Sequence, residues 1–357
     1  MKVAIIGAGL SGLACAYELK RNGIIPTIFE KKNYIGEVLD LPAINLRMFD
    51  VSMKDILKVL REEYRLTLTP HYDLNEIIMV SPSKTHTVKG NMGSIFLRGR
   101  EPGYLTIQLE QAVNLPYTFN TLANVNEIKN DYDHIVVANG TLEVPLQMKL
   151  ATVHFDAYVR IATVLGDFNT KSVKVWMNTV YAKHGYAYLV PVSAKDARLV
   201  LIVDNIKPDQ LDYYWNEFLS TENITYTIIE TKDIRHIVGG VFPVQYDNVF
   251  LAGNAGGCID SLLGFGTLKS ILSGVMAAKC MINGLDYNKS MKSITKDVKA
   301  KYEFRKVFNT FDNQDMDTFT SIENLPVVKQ FIFNNPLLRA TQGTLLAKAY
   351  NSLIKNN

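Results

Sequence analysis

Residues 2–30 constrain the fold more than any other stretch of this chain. An apolar run at Val3–Ile6 leads into Gly7-Ala8-Gly9-Leu10-Ser11-Gly12, and a helical pattern follows as far as Asn22-Gly23. A second apolar run then stops at Glu30. A strand, a glycine turn, a helix, a strand and a terminal acid in this order are typical of the βαβ unit that binds a dinucleotide. The stretch therefore predicts a Rossmann-like unit that holds an adenine dinucleotide.

Each glycine of this turn has a physical role in that interpretation. Gly7 permits the tight turn, Gly9 lets the backbone approach the pyrophosphate, and Gly12 lets the helix pack closely on the sheet. The N-terminal end of the helix presents free N–H groups and a positive dipole to the phosphates. The carboxylate of Glu30 can accept hydrogen bonds from the ribose hydroxyls. The predicted nucleotide-binding residues of this unit are Gly7, Gly9, Leu10, Ser11, Gly12, Glu30 and Lys31.

The composition indicates a globular protein with a substantial core. Of the 357 residues, 47% are hydrophobic and 20% are charged, which excludes an intrinsically disordered chain. This length predicts two domains, or one large domain with insertions. The net charge of +3 is too small to indicate a nucleic-acid partner. No run of about eighteen apolar residues occurs, so no membrane span is predicted.

The positions of the cysteines and histidines indicate the cellular compartment of the protein and whether it has a metal site. Cys15, Cys258 and Cys280 are far apart and show no CxxC spacing, which is typical of a reducing cytosol. The apolar N-terminal stretch resembles a signal peptide only superficially, because the glycine motif begins inside it. The expected location is therefore cytoplasmic. The six histidines show no metal-ligand spacing, so no metal site is predicted.

The pattern of elements divides the rest of the chain. Strand-like runs dominate residues 74–97 and 146–235 and favour an inserted antiparallel sheet, and helical patterns dominate after residue 285. The predicted fold class is α/β, with a discontinuous Rossmann-like nucleotide-binding domain, an inserted antiparallel β-sheet substrate domain and a helical C-terminal region. The predicted domains are residues 1–73, 98–145 and 236–285 for the nucleotide, 74–97 and 146–235 for the substrate, and 286–357 for the helical region.

A second glycine-rich segment lies far downstream of the first. Gly253–Gly257 follows a strand-like run, and Gly264-Phe265-Gly266 precedes a helix that begins at Thr267. FAD would explain two distant glycine turns, because it is longer than NAD at its flavin end and needs a second loop there. The helix start can contact the flavin N1–C2=O edge, which becomes negative on reduction. The alternative is a loop shaped by packing alone. The predicted flavin-binding residues here are Gly253, Asn254, Gly264, Phe265, Gly266 and Thr267.

These features together resemble the flavoproteins with the p-hydroxybenzoate hydroxylase fold, and within them the geranylgeranyl reductase-like family. The resemblance covers residues 1–285 in order. Besides the two glycine segments, it rests on Arg98 or Arg100 before a helix, on the strand that ends at Ala138-Asn139-Gly140, and on Gly185–Pro191. This last segment is similar to the family's YxWxFP motif, which lines the cavity beside the flavin. The family usually has Gly-Asp where this chain has Gly253-Asn254, and an amide can still bond a ribityl hydroxyl.

The resemblance implies a function. It implies FAD as the cofactor, with Arg98 among its contacts, and hydride transfer from flavin N5 to a carbon–carbon double bond of an unsaturated substrate such as an isoprenoid. No second dinucleotide motif is visible, so the electron donor is expected to be NAD(P)H or another protein. The substrate is expected to be a small apolar or aromatic molecule. The alternatives are an FAD-dependent aromatic monooxygenase, acting as a hydroxylase, and a flavoprotein electron carrier.

Three residues are candidates for catalysis. Tyr186 and Tyr188 lie two apart, so on a strand they share one face. They could line the substrate cavity and donate a proton, or they could simply pack a half-buried sheet. His184 could protonate a substrate carbon, or it could be a loop residue without a role. Cys258 follows the second glycine turn and could be a thiol beside the flavin, although a packing role is its default.

The C-terminal residues have an amphipathic pattern. The predicted helix 325–354 carries a leucine stripe with Arg339, Lys348 and Lys355 between or beside the leucines. Such a helix could cover a domain or a dimer contact, or it could lie on an anionic membrane. At most a peripheral membrane contact is therefore expected.

Overall fold

The computed structural model describes residues 1–36, 41–46 and 55–322, and its strands form two sheets. The strands are β1 (Val3–Ile6), β2 (Thr27–Phe29), β3 (Ala43–Leu46), β4 (Tyr72–Val80), β5 (Thr85–Phe96), β6 (His134–Val137), β7 (Ala151–Leu165), β8 (Ser172–Trp176), β9 (Tyr186–Pro191), β10 (Asp196–Asp204), β11 (Thr227–Val241), β12 (Gln245–Tyr246) and β13 (Val249–Leu251). The α-helices are α1 (Leu10–Arg21), α2 (Ile56–Tyr64), α3 (Leu105–Val113), α4 (Val125–Ile128), α5 (Glu143–Gln147), α6 (Thr179–Ala182), α7 (Leu211–Thr221), α8 (Thr267–Asn283), α9 (Tyr287–Ser290), α10 (Lys292–Phe308) and α11 (Asn313–Ile322).

The first sheet has the order β12-β13-β6-β1-β2. Strand β1 pairs in parallel with β2 and β6, and β13 pairs in parallel with β6. All four residues of β1 are buried, because helices cover both faces of such a sheet. The predicted β1-α1-β2 unit is therefore confirmed, and the Rossmann-like fold with it.

The second sheet has the order β11-β7-β10-β9-β8-β4-β5-β3. Its neighbours pair antiparallel except for β4 and β8, which run parallel. One face packs against α7, where Trp215 and Phe218 join the cluster that contains Leu189. The other face packs against α10 and α11 and contains Tyr186 and Tyr188. The prediction that these two tyrosines share a face is correct, because side chains alternate along a strand.

The sequence pattern also predicts single strands at residues 117–120, 173–180, 85–89 and 94–97, and these predictions were wrong in extent. The predicted strand at residues 117–120 forms only an isolated bridge between Phe29 and Thr118, and Asn120 with φ +54° turns the chain away. The strand predicted from Val173 to Val180 ends at Trp176, because the Asn178 side chain accepts the Val180 N–H and caps α6. The pieces predicted between residues 85 and 97 are one continuous strand, β5.

The domain limits remain a prediction, and two strands bear on them. Strand β3 lies in the second sheet although residues 1–73 were predicted to form part of the nucleotide-binding domain. Strand β11 also stays in the second sheet as far as Val241. If sheet membership defines the domains, residues 43–46 and 236–241 count with the substrate domain.

A buried ion cluster joins α10 to the rest of the fold. The Asp297 carboxylate lies 2.6 Å from the Lys269 ammonium of α8 and 3.0 Å from that of Lys301. Burial alone would raise the pKa of Asp297, but the charges of Lys301 and Lys269 outweigh it and hold that pKa below its usual value. The cluster fixes α10 against α8. The described residues after 285 are mainly helical, as predicted.

The far C-terminal prediction concerns residues that the structure does not describe. The amphipathic helix predicted at residues 325–354, and with it any membrane contact, lies outside the described residues. Within residues 1–36, 41–46 and 55–322, no helix combines the length and the hydropathy that crossing a bilayer requires.

Candidate active site

Two glycines of the first turn are required by the chain's own backbone. Gly7 has φ +105°, and a Cβ atom there would lie 2.6 Å from the carbonyl oxygen of Ala138. A Cβ atom on Gly12 would lie 2.0 Å from the carbonyl oxygen of Gly7. Real Cβ atoms do not approach backbone this closely, so only glycine allows α1 to start directly against β1 and β6.

Gly9 differs from its two neighbours in the motif. A Cβ atom on Gly9 would meet nothing nearer than the Ala138 carbonyl oxygen at 3.9 Å, and its φ of −86° suits any residue. The space in front of Gly9 is therefore open. Gly9 also precedes the first turn of α1 without a side-chain cap, so the N–H groups at Leu10 and Ser11 are available to an acceptor. This cradle fits a pyrophosphate.

Glu30 is tied to the glycine turn by hydrogen bonds. Its Oε2 accepts the Ala8 N–H at 2.9 Å and its Oε1 accepts the Lys32 N–H at 3.0 Å. The carboxylate is 5% exposed, and each oxygen keeps a further lone pair for a hydroxyl. Lys31 beside it is exposed. The acid therefore lies where the predicted ribose would bind.

The two glycine segments meet in space. Gly253 has φ +64°, and a Cβ atom there would lie 2.5 Å from the Ser11 Oγ at the start of α1. The Gly253 N–H donates to the Ser273 Oγ of α8 at 2.9 Å. A Cβ atom on Gly274 would lie 2.1 Å from the Ser11 carbonyl oxygen, so α8 and α1 are in close contact. Parts of the chain far apart in sequence therefore converge on one place.

Asn254 presents an acceptor beside this junction. Its Nδ2 donates to the carbonyl oxygens of Gly140 at 3.0 Å and Ile237 at 3.3 Å, and these two bonds fix which way the amide points. Its Oδ1 is buried and has no hydrogen-bond partner among the described residues. The oxygen can therefore accept a hydroxyl, as the carboxylate usual at this position would.

The segment Asp260–Gly266 forms a compact loop before α8, and we call it the flavin loop. Its Asp260 Oδ1 accepts the N–H groups of Leu262 at 3.1 Å and Leu263 at 2.7 Å. Gly266 precedes α8 without a side-chain cap, so the N–H groups from Thr267 onward are open to an acceptor. A partly open cavity lies at this helix start. It is lined by Ala43, Ile44, Asn45, Leu46, Phe96, Asp260, Phe265, Gly266, Thr267, Leu268, Lys269 and Lys301.

Three side chains lie close to one another next to the flavin loop, those of Arg98, Tyr188 and His236. The His236 Nε2 lies 3.6 Å from where a Cβ atom on Gly264 would be, and the charge of Arg98 acts on both His236 and Tyr188. The Arg98 Nε donates to the Leu41 carbonyl oxygen at 3.2 Å. Burial raises the pKa of the Tyr188 hydroxyl, so this group is a neutral proton donor at pH 7.

The three catalytic candidates are placed differently. The Tyr186 hydroxyl donates to the Leu263 carbonyl oxygen at 2.5 Å, whereas no hydrogen bond to another described residue is found for the Tyr188 hydroxyl. The two rings lie 5.7 Å apart. The His184 backbone N–H donates to Asp204 Oδ1 at 3.0 Å, and its Nδ1 lies 3.8 Å from Asp204 Oδ2. Tyr188 is therefore the freest of the three to meet a substrate.

The cysteines are all buried and free. Burial raises the pKa of Cys258 to about 11, so its thiol stays protonated at pH 7 and is a poor nucleophile. This supports the packing role for Cys258. In the described part of the chain, no group of three or more His, Cys, Asp or Glu side chains could hold a metal ion.

Sequence reasoning missed His236 among the residues around the site. His236 lies on β11 and belongs to no sequence motif. It pairs with Ala157 and alternates in step with Ile234 and Val238, and this register directs its side chain to the tyrosine-bearing face. Sequence reasoning also missed Asp260, although an Asp that bonds N–H groups two and three residues later is a familiar turn signal.

We expect the stability of the protein to depend on pH through His236. Burial, and then the charge of Arg98, lower the pKa of His236 from 6.5 to about 4. Between those values the unfolded chain binds a proton that the folded chain does not, so the free energy of unfolding should fall by about 3 kcal/mol as pH falls from 6.5 to 4. Urea unfolding at several pH values would measure this in wild type and His236→Gln. Equal pH slopes in the two proteins would contradict it.

Comparisons with known proteins agree with the fold. Residues 5–51 match the family model of the NAD(P)-binding Rossmann-like domain. Over 92% of each chain, the protein is 23% identical to digeranylgeranylglycerophospholipid reductase 3 of Methanosphaera stadtmanae. A geranylgeranyl bacteriochlorophyll reductase-like protein of Thermoplasma acidophilum superposes with a TM-score of 0.73 at 15% identity over 95% of each chain. A flavin-dependent brominase superposes with a TM-score of 0.66 at 12% identity over the whole of both chains.

The chain therefore shares its fold with a geranylgeranyl reductase-like protein and with a flavin-dependent enzyme. The resemblance to geranylgeranyl reductase-like proteins extends over nearly the whole chain, and the prediction of it from sequence is confirmed.

Proposed function

We propose that the chain is an FAD-dependent reductase that saturates a carbon–carbon double bond in an apolar, isoprenoid-type substrate. The observation that carries this proposal is the meeting of Gly253 with Ser11, beside a sheet face that bears Tyr188. One long nucleotide could contact both glycine segments while its far end reaches the apolar face. The similarity to digeranylgeranylglycerophospholipid reductase 3 supports the substrate class.

The residues present fit FAD. The open space at Gly9 accommodates the pyrophosphate, Glu30 the adenosine ribose, and the buried Oδ1 of Asn254 a ribityl hydroxyl. The N–H groups from Thr267 face the cavity that would hold the flavin pyrimidine. The proposed contacts are Gly7, Gly9, Leu10, Ser11, Gly12, Glu30, Lys31, Arg98, Gly253, Asn254, Gly264, Phe265, Gly266 and Thr267.

The proposed reaction adds a hydride and a proton across the double bond. When bound, FAD would supply the hydride chemistry at flavin N5, with NAD(P)H or a protein donor as the source of electrons. Tyr188 is the proposed proton donor to the carbon that does not receive the hydride, because its ring lies beside that of Tyr186 on the sheet face next to the flavin loop. The buried cluster that contains Tyr188 also includes Ile161 and Ile202, so the surroundings of this tyrosine are apolar.

Two measurements test this function. The purified protein, or the protein incubated with FAD, should show the visible absorbance of a bound flavin. After reduction without oxygen, an isoprenoid alkene should reoxidise the flavin and yield the saturated product. A protein that takes up no FAD would contradict the proposal.

The same measurements separate the other chemistries of this fold. Since a flavin-dependent brominase shares the fold, reoxidation must also be measured with oxygen and a phenol. Hydroxylation under oxygen, without turnover of the alkene, would favour the monooxygenase. Reoxidation by a protein acceptor alone would favour an electron carrier.

We expect Asn254→Leu to weaken FAD binding about tenfold, since a buried acceptor for the ligand is lost. Asn248→Leu is the matched control, because the Asn248 Nδ2 also donates to two backbone carbonyl oxygens, at 3.0 and 3.1 Å, away from the glycine turns. Fluorescence titration of the apoprotein with FAD would measure both variants. Equal losses of affinity would show that Asn254 acts through stability alone.

A further inference from the structure

The flavin loop is held from outside at three consecutive residues. Each of these residues contacts a side chain from the second sheet or from α10. The contacts are Ser261 with His154, Leu262 with Arg305 and Leu263 with Tyr186, and the His236 ring lies beside Gly264. Side chains of the second sheet and of α10 therefore hold the conformation of the loop that leads to the cavity.

Tyr186 makes the shortest of these contacts. Its hydroxyl donates to the Leu263 carbonyl oxygen at 2.5 Å, and its side chain is 6% exposed. Burial raises the pKa of Tyr186 well above 10, so the hydroxyl keeps its proton and remains a donor. A hydroxyl committed in this way supports the loop and does not protonate a substrate.

Arg305 brings α10 to the same loop. Its side chain is fully buried, and its Nη1 donates to the Leu262 carbonyl oxygen at 3.5 Å. The guanidinium lies 4.2 Å from the centre of the Phe155 ring and 3.8 Å from the Asp204 carboxylate. The β7 ring and the β10 acid therefore orient the arginine toward the loop.

His154 makes a third link between α10 and the loop. Its Nδ1 lies 2.8 Å from the Ser261 Oγ, and its ring stacks on Tyr302 of α10 with centres 3.6 Å apart and planes at 7°. Burial lowers the pKa of His154, so the ring is neutral at pH 7 and bonds the serine without a charge. Strand β7, α10 and the loop are thereby packed as one unit.

We propose that Tyr186 and Arg305 are positioning residues that hold the flavin loop, and with it the start of α8, in the geometry that binds the flavin pyrimidine. The proposal rests on the function proposed above. It assigns Tyr186 a role different from that of Tyr188 on the same strand, and it makes α10 part of the cofactor site although α10 lies outside the Rossmann-like sheet.

The test measures FAD affinity. Tyr186→Phe removes the bond to Leu263 and should raise the Kd for FAD at least about fivefold. Tyr72→Phe is the matched control, because the Tyr72 hydroxyl also donates to a backbone carbonyl oxygen, that of Val192 at 3.0 Å, on the second sheet but outside the flavin loop. The control should leave the Kd unchanged. Thermal unfolding of each apoprotein reports any general loss of stability.

A double-mutant cycle tests whether the two residues act together. Arg305→Lys keeps a positive charge for Asp204 but loses the planar fork that reaches Leu262, so it should also weaken FAD binding. If both residues act on one loop, the double variant should lose less than the product of the single losses.

The outcomes are distinct. Weaker FAD binding in Tyr186→Phe with an unchanged control and a non-additive cycle supports the proposal. Equal Kd values for Tyr186→Phe and Tyr72→Phe overturn it while leaving the reductase intact, and so does a loss that only follows the melting temperature of the apoprotein. Wild-type protein that binds no FAD overturns the proposed function itself.

Discussion

Gly9→Ala should abolish useful FAD binding while leaving the fold intact. The added methyl group meets no atom of the protein within 3.9 Å, so the apoprotein should unfold within about 1 kcal/mol of wild type. The same methyl group would occupy the space through which the backbone approaches the pyrophosphate. We expect the Kd for FAD to rise at least about 100-fold. Titration of the apoprotein with FAD and urea unfolding without FAD would measure the two effects separately.

Gly12→Ala provides the contrasting result. Its methyl group would lie 2.0 Å from the Gly7 carbonyl oxygen, so the protein itself must shift, at a cost of about 3 kcal/mol in the free energy of unfolding. Binding and stability should therefore fall together in Gly12→Ala and separate in Gly9→Ala. FAD binding by Gly9→Ala close to that of wild type would mean that no phosphate approaches this turn.

Local signals made the first half of the site predictable. The turn at Gly7, the helix that follows and the acid at Glu30 lie within one short stretch, where spacing reports geometry directly. The shared face of Tyr186 and Tyr188 followed from strand alternation. The convergence of Gly253 with Ser11 needed a further assumption, that one long cofactor requires both loops, and the structure places the two in contact.

The second half of the site could not be predicted, because it depends on the register between strands that are far apart in the sequence. The Tyr186 hydroxyl bonds the flavin loop and the Tyr188 hydroxyl does not. This difference depends on how the flavin loop, which is far along the chain, lies across β9. His236 reaches the site only because β11 pairs with β7 in one register, and a shift by one residue would turn it to the opposite face. Arg305 has no motif at all. Such residues are identified only once the two sheets and α10 are assembled.

Tyr188→Phe should slow the reduction of the double bond by about 100-fold or more, the usual size of a general-acid contribution. The affinity for FAD and the rate of flavin reduction by its donor should be unchanged, since no hydrogen bond to another described residue is found for the Tyr188 hydroxyl. Anaerobic reoxidation of the reduced enzyme by an isoprenoid alkene would measure the effect.

The wild-type reaction should also slow in D₂O, because the proton from Tyr188 exchanges with solvent, and the variant should lose most of that isotope effect. Tyr186→Phe separates the two roles on one strand: at saturating FAD its reoxidation rate should stay close to wild type, because its hydroxyl is committed to Leu263. Reoxidation of Tyr188→Phe within about threefold of wild type would lie far outside a general-acid effect. In that event the proton comes from another group, and His236, which faces Gly264 beside Arg98, is the next to replace.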